Sequence, residues 1–279
     1  MSNYPQAPPN YQPAPQSPQK YNQYGSAQAS EPLLGETRGQ SSRGAGAFGD
    51  DNDLPDDFKY GVTVFESAPE IRQAFVRKVY SILFVQILGT CIVAKLASSD
   101  SAVAWVQAHQ WAVFVPLFGS VVNLLLLWWK RLSHPTNYIL LASFTVLESL
   151  SLGLIISYYE TTIVLQAMLI TLGVFLGLTL FTLQSKYDFS GMGPYLFGGL
   201  LVLLMTGFVG IFVPFGQTMD LIYAAGGCLI FSGYIIYDTF IITKRLSPDE
   251  FIMGAVSLYL DFINLFISIL RVLNNVEDR

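Results

Sequence analysis

The chain has 279 residues, 52% hydrophobic and only 13% charged, against about 25% charged in a typical soluble domain. That balance excludes an ordinary water-soluble enzyme, and a net charge of -5 without a basic cluster excludes nucleic-acid binding. Two cysteines exclude a disulfide scaffold. The charge is uneven: residues 1–70 hold nine acids and four bases, while residues 71–279 hold eleven of each. An acidic tail therefore precedes a neutral, apolar body.

Residues 1–57 are rich in Pro, Gln, Tyr, Ser and Gly and show no apolar periodicity. Such a stretch buries too little surface to offset the entropy of ordering, so residues 1–70 are expected to form a disordered tail. No apolar segment marks a secretory signal, and Ser2 stands where myristoylation needs Gly. Pro8-Pro9-Asn10-Tyr11 has the PPxY form. Two prolines preset a polyproline II segment and Tyr11 fills an aromatic groove, which points to a WW-domain ubiquitin ligase as partner. The competing reading is chance in a Pro- and Tyr-rich tail. The acids Asp50, Asp51, Asp53, Asp56 and Asp57 read as a solvated spacer rather than a metal site.

Seven apolar stretches follow, near 75–97, 111–129, 137–158, 162–183, 195–215, 219–242 and 251–272. Each approaches the roughly 20 residues that cross about 30 Å of hydrocarbon. Only helices satisfy every backbone polar group within one such segment, so an all-α, seven-transmembrane-helix bundle is predicted over 71–273. Residues 274–279 form a short C-terminal tail. Gly173, Gly177, Gly198, Gly199, Gly226 and Gly227 are expected to let helices approach closely. Cys91 and Cys228 are expected to pack as small apolar residues. Trp105, Trp111, Trp128 and Trp129 fall near span ends, as interfacial anchors do.

Lys and Arg set the orientation. Arg72, Arg77 and Lys78 open span 1, Lys130 and Arg131 follow span 2, Lys186 follows span 4, and Lys244 and Arg245 follow span 6. The loops after spans 1, 3 and 5 hold neither residue. The N-terminus is therefore expected in the cytosol. Seven full crossings place the C-terminus in the lumen; a re-entrant last segment, with Asp261 near its middle, would keep it cytosolic.

Three acids lie inside spans, where ionisable groups are costly and face a partner or a wet cavity: Glu148 in span 3, Asp238 in span 6 and Asp261 in span 7. Asp238 and Asp261 both fall toward the cytosolic side and would meet if their helices pack together. Two touching carboxylates share a proton rather than both ionising. At low pH the proton would hold the helices together. At high pH the dianion would repel and offer hard oxygens to a cation such as Ca²⁺. Arg131 is placed to neutralise one acid. The alternative is structural, with each Asp merely fixing packing. His109 and His134 lie in loops, and the sequence carries no HExxH, Walker A or GxSxG motif.

Several stretches resemble the Bax-inhibitor/Lifeguard family of multispan membrane proteins. They are Ile71-Arg72-Gln73-Ala74-Phe75-Val76-Arg77-Lys78-Val79-Tyr80, Glu148-Ser149-Leu150-Ser151-Leu152-Gly153, Gly233-Tyr234-Ile235-Ile236-Tyr237-Asp238, and Ser257-Leu258-Tyr259-Leu260-Asp261-Phe262-Ile263-Asn264-Leu265-Phe266. The resemblance covers about residues 70–273. It implies a central helix surrounded by the others, and a pH-sensitive Ca²⁺ leak of an internal membrane with a protective role in cell death and stress. It implies a latch at Asp238 and Asp261, with Arg131 as its basic partner and Glu148 as a family acid. Near Ser120 an acid of some relatives is replaced. It favours the endoplasmic reticulum, with Golgi or vacuole/lysosome as alternatives. Ca²⁺ is then cargo, and no resident cofactor is expected. Two other readings compete: a non-conducting adaptor that binds apoptosis regulators, and an intramembrane aspartyl protease. The segment Leu258-Tyr259-Leu260-Asp261 lacks the Gly-x-Gly-Asp pattern of such proteases, so no enzymatic activity is expected.

Overall fold

The computed structural model describes residues 63–277. The Pro8-Pro9-Tyr11 motif and the acidic spacer lie outside the described residues, which form helices and short 3-10 turns and no strand. In chain order the helices are α1 (Pro69–Ala97), α2 (Asp100–Ala108), α3 (Phe114–Trp129), α4 (Thr136–Ile156), α5 (Thr161–Gln184), α6 (Gly193–Phe212), α7 (Gln217–Lys244) and α8 (Phe251–Glu277). All but α2 belong to segments long and apolar enough to cross a membrane, seven among the described residues.

The helix boundaries have local causes. Pro69 and Pro194 sit in the first turns of α1 and α6, where the missing N–H has no intrahelical acceptor to lose. Pro214 cannot extend α6, so the fifth span ends at Phe212 rather than running on to 215. Before α8, Ser247 and Glu250 cap each other's backbone reciprocally around Pro248. The expected loop between spans 1 and 2 instead contains α2, which buries none of its residues and presents Trp105 outward. Nine residues are too few to register as a span, and a helix lying at an interface needs no buried face.

The outer surface is apolar. Phe84, Ile92, Leu125, Leu169, Leu204, Ile211 and Leu229 all point outward. A water-facing surface does not carry apolar cover on this scale, whereas hydrocarbon requires it. The protein is therefore an integral membrane protein.

The last span lies at the centre. In α8, 72% of the apolar stretch is buried, against 6–33% in the other six. It packs against α1, α4, α5 and α7, and Phe251, Ile252, Leu258, Tyr259, Phe262 and Leu265 form its core contacts. Its 27 residues form one continuous helix, about 40 Å long at 1.5 Å per residue, which is ample for a full crossing. α7 and α8 run antiparallel in steady register. Ile242 meets Gly254 at one end, Gly227 meets Ser268 further along, and Asp220 meets Asn275 at the other end.

Of the six glycines expected to allow close approach, Gly199 lies against Ile230, Gly226 against Leu203 and Gly227 against Ser268. Gly173, Gly177 and Gly198 face open space. A tight crossing that was not among those expected is at Gly153 on α4, where a Cβ would lie 2.5 Å from the Ala97 Cβ and 2.8 Å from the Ala94 carbonyl of α1. Gly227 has the same role on α7, with the Ser268 Oγ 2.5 Å from where a Cβ would stand. Cys91, expected to be packed, is exposed on α1.

The two ends differ in charge. Arg72, Arg77, Lys78, Lys130, Arg131, Lys186, Lys244 and Arg245 gather at the end where α1 starts. The opposite end carries α2, Lys95 and Arg271.

Candidate functional site

Asp238 lies about two turns before the end of α7, and Asp261 lies ten residues into α8. Because the helices are antiparallel, both side chains reach the same level. There the Asp238 carboxylate has the Asp261 carboxyl and the Ser257 hydroxyl within hydrogen-bonding reach. Ser257 stands one helical turn before Asp261 on the same face of α8. Asp261 is 6% exposed, whereas Asp238 is only partly covered. The buried Oδ2 of Asp261 meets no hydrogen-bond partner, and neither aspartate joins an ion pair among the described residues. An ionised carboxylate only accepts hydrogen bonds. Two of them side by side therefore leave an acceptor facing an acceptor, and a single proton between them turns that clash into a hydrogen bond. Tyr234, one turn before Asp238, is the nearby titratable hydroxyl on α7.

Neither of the other two expected site residues joins this pair. Arg131 makes its ion pair with Glu250 at 3.5 Å and lies over the Trp128 ring at 5.7 Å. The reason is local: Glu250 is already fixed by capping Ser247 at the start of α8, so it presents a carboxylate oxygen to the α3–α4 loop. The expected neutralisation of an aspartate by Arg131 is thus replaced by a link between that loop and the head of α8. Glu148 points from α4 toward α3, where the Ser120 hydroxyl is within reach. Where some relatives are expected to carry an acid on span 2, this chain has a buried serine and supplies the carboxyl from the facing helix.

A polar seam ties α1, α4 and α8 in the core. The Thr90 hydroxyl donates to the Gln86 carbonyl at 2.8 Å and meets the Tyr259 hydroxyl at 2.8 Å. Ser149 donates to the Thr90 oxygen at 3.1 Å, and the Gln86 amide donates to Thr145 at 3.0 Å. Tyr259 is fully buried, so its hydroxyl requires such partners.

Two features escaped the sequence reading. At the far end of α7 and α8, Arg271 ion-pairs with Asp220, Asn275 donates to the other Asp220 oxygen at 2.6 Å, and Arg271 lies over the Tyr223 ring at 4.9 Å. The signal was present as one acid in the first turn of span 6 and one base near the end of span 7. At the basic end, Val64 is fully buried and its N–H donates to the Leu246 carbonyl at 2.9 Å. Lys244 lies over the Phe65 ring at 4.4 Å, and Lys78 over the Phe251 ring at 3.4 Å. A short strap before α1 is thereby tied to the α7–α8 connection, on the side of the bundle where the aspartates sit.

Six spans around a buried seventh, with two carboxyl groups facing each other between the last two, define a polytopic membrane protein. The family described as inhibitor of apoptosis-promoting Bax1 matches residues 72–278. Over 229 residues the chain is 45% identical to Bax inhibitor 1 of Schizosaccharomyces pombe, covering 82% of this chain and 86% of that protein. It is 42% identical to protein lifeguard 4 of Mus musculus, covering 81% and 95%, and 41% identical to the Golgi anti-apoptotic protein of vaccinia virus, covering 79% and 93%. The chain belongs to the Bax-inhibitor/Lifeguard family of membrane proteins.

Proposed function

We propose that this protein is a pH-sensitive Ca²⁺ leak of an internal membrane, gated by Asp238 and Asp261, that helps restrain cell death. The observation that carries the reading is the meeting of two carboxyl groups from neighbouring helices, Asp261 buried and Asp238 half-buried, with one buried oxygen of Asp261 lacking a hydrogen-bond partner. In acid, one shared proton bonds α7 to α8 and the path is closed. In alkali, the second ionisation places two like charges in contact, the helices part, and the pair becomes a hard oxygen site. Two carboxylates and one hydroxyl are far short of the six to eight oxygens of a Ca²⁺ storage site. Among the described residues no group of three or more His, Cys, Asp or Glu side chains forms a metal cage. On this reading Ca²⁺ meets the pair as cargo in passage.

The excess of Lys and Arg at one end supports a cytosolic N-terminus. The viral relative's name supports an internal membrane, the endoplasmic reticulum or Golgi, and the anti-apoptotic names of relatives support the role in cell death. The tail, residues 1–70, would recruit a WW-domain ligase through Pro8, Pro9 and Tyr11, and the bundle over 71–273 would carry the leak. The test is Ca²⁺ flux through purified protein in liposomes. Flux that rises from acid to alkali supports the reading. No flux at any pH sinks it and leaves the adaptor role, in which the tail and membrane surface act by binding.

A further inference from the structure

α1 and α5 both pack on α8 and leave a groove of about 550 Å³ between them, closed on one side by α4. Its flanks are Ile87, Cys91, Leu152, Val164, Leu165 and Met168, and its floor is Phe262, Ile263 and Phe266 of the central helix. The mouth lies at the α2 end, where Lys95, Asp100, Ser157 and Thr161 line it.

The contents of such a groove follow from its polar groups. Water persists in a cavity only where it finds about two to four polar partners. Of the polar side chains in the lining, Ser98 follows the end of α1 and Tyr159 stands in the α4–α5 connection, both at the mouth end of the chain path, while Thr90 lies within α1 and its hydroxyl is already engaged by Gln86, Tyr259 and Ser149. The deep part is therefore dry and, within a bilayer, takes hydrocarbon. At the mouth, the Ser157 hydroxyl is used by the Leu154 carbonyl. The Lys95 ammonium and Asp100 carboxylate share the mouth without an ion pair to each other or to any other described residue. One unpaired cation and one unpaired anion above an apolar slot complement a zwitterion on an acyl chain.

We propose that this groove holds one acyl chain of a zwitterionic phospholipid from the leaflet at the α2 end, with its phosphate at Lys95 and its ammonium toward Asp100. The proposal does not rest on Ca²⁺ conduction, and its test involves no flux.

The full chain in mild detergent, exchanged against equimolar phosphatidylcholine and phosphatidylglycerol, is read by native mass spectrometry. One retained phospholipid is expected, with phosphatidylcholine favoured about threefold to fivefold, the range of an exposed charge contact. Asp100→Asn is expected to erase the preference. Lys95→Ala should lower retention of both lipids by about the same factor. Val164→Trp, which fills the slot, should lose the bound lipid while keeping the helical circular dichroism of the parent. In vesicles, a phosphatidylcholine with a photoreactive acyl chain should label residues 87–95 and 161–168 above the other outward faces. The proposal is overturned by no retained lipid in the parent chain, by a preference for phosphatidylglycerol, by full retention in a folded Val164→Trp, or by labelling spread evenly over the outer helices.

Discussion

The chemistry of single residues decides which acids in this bundle respond to pH. Asp188, in the α5–α6 connection, is fully solvent-exposed and accepts hydrogen bonds from the Ser190 hydroxyl and from the Ser190 N–H at 2.8 Å. Those bonds favour the charged form and hold its carboxyl below the usual carboxylate range. A depressed value in the folded chain contributes stability that is present above the unfolded value and lost as pH falls through the folded one. Asp188 is thus ionised throughout the neutral range and does not report there. Asp220 differs again, because Arg271 and Asn275 satisfy both of its oxygens. Arg271→Ala strands that carboxylate in a partly buried site, and a loss of about 1–3 kcal/mol is expected. The measurement is thermal unfolding in detergent of Arg271→Ala, Asp220→Asn and the double variant. The double variant should lose less than the two single losses added together; strict additivity would mean that the two side chains are not coupled.

At the scale of elements, the α7–α8 pair is fastened by different chemistry at its two ends. The Asp220–Arg271 end carries opposite charges, which attract each other. The Asp238–Asp261 end carries like groups, which only a proton reconciles. Opening is therefore expected to splay the pair from the basic end, with the far end as the fixed point. The α1–α4 pair, by contrast, is locked by packing. At Gly153 a side chain would collide with Ala97 and the backbone of Ala94, so Gly153→Leu is expected to cost about 1–3 kcal/mol through overpacking. Gly177→Leu, facing open space, should be nearly neutral. Similar melting temperatures for the two variants would contradict the assigned crossing.

For the whole molecule, seven spans were legible because hydropathy reports what lipid demands of a segment. Span 5 was drawn three residues too long, since apolarity continues past Pro214 while backbone geometry does not. The helix α2 was missed because nine residues at an interface leave no span signal. The meeting of Asp238 and Asp261 followed from family resemblance, since hydropathy does not say which helices are neighbours. Asp220 and Arg271 are 51 positions apart, and their pairing depends on the antiparallel register of α7 and α8. The expectation for Arg131 rests on its place after span 2 and on the family resemblance, and nothing in the residue pattern marks Glu250 as the carboxylate it pairs with. Orientation is a property of the whole chain and can be tested as one. In a background with Cys91 and Cys228 replaced by Ala, Asp249→Cys should react with a membrane-impermeant maleimide from the cytosolic face. Glu160→Cys should react from the other face. The reverse pattern would invert the topology.

The central claim is that one proton shared by Asp238 and Asp261 sets the leak. Its most direct test is the pH profile of Ca²⁺ flux in liposomes for the parent chain, Asp261→Asn and Asp188→Asn. An amide at 261 still donates to Asp238 but has no proton to lose, so that variant is expected to stay at the low acid-level flux throughout. Asp188→Asn is expected to keep the parent profile, rising from acid to alkali. A parent-like rise in Asp261→Asn would contradict the account and place the pH-sensing group elsewhere in the bundle.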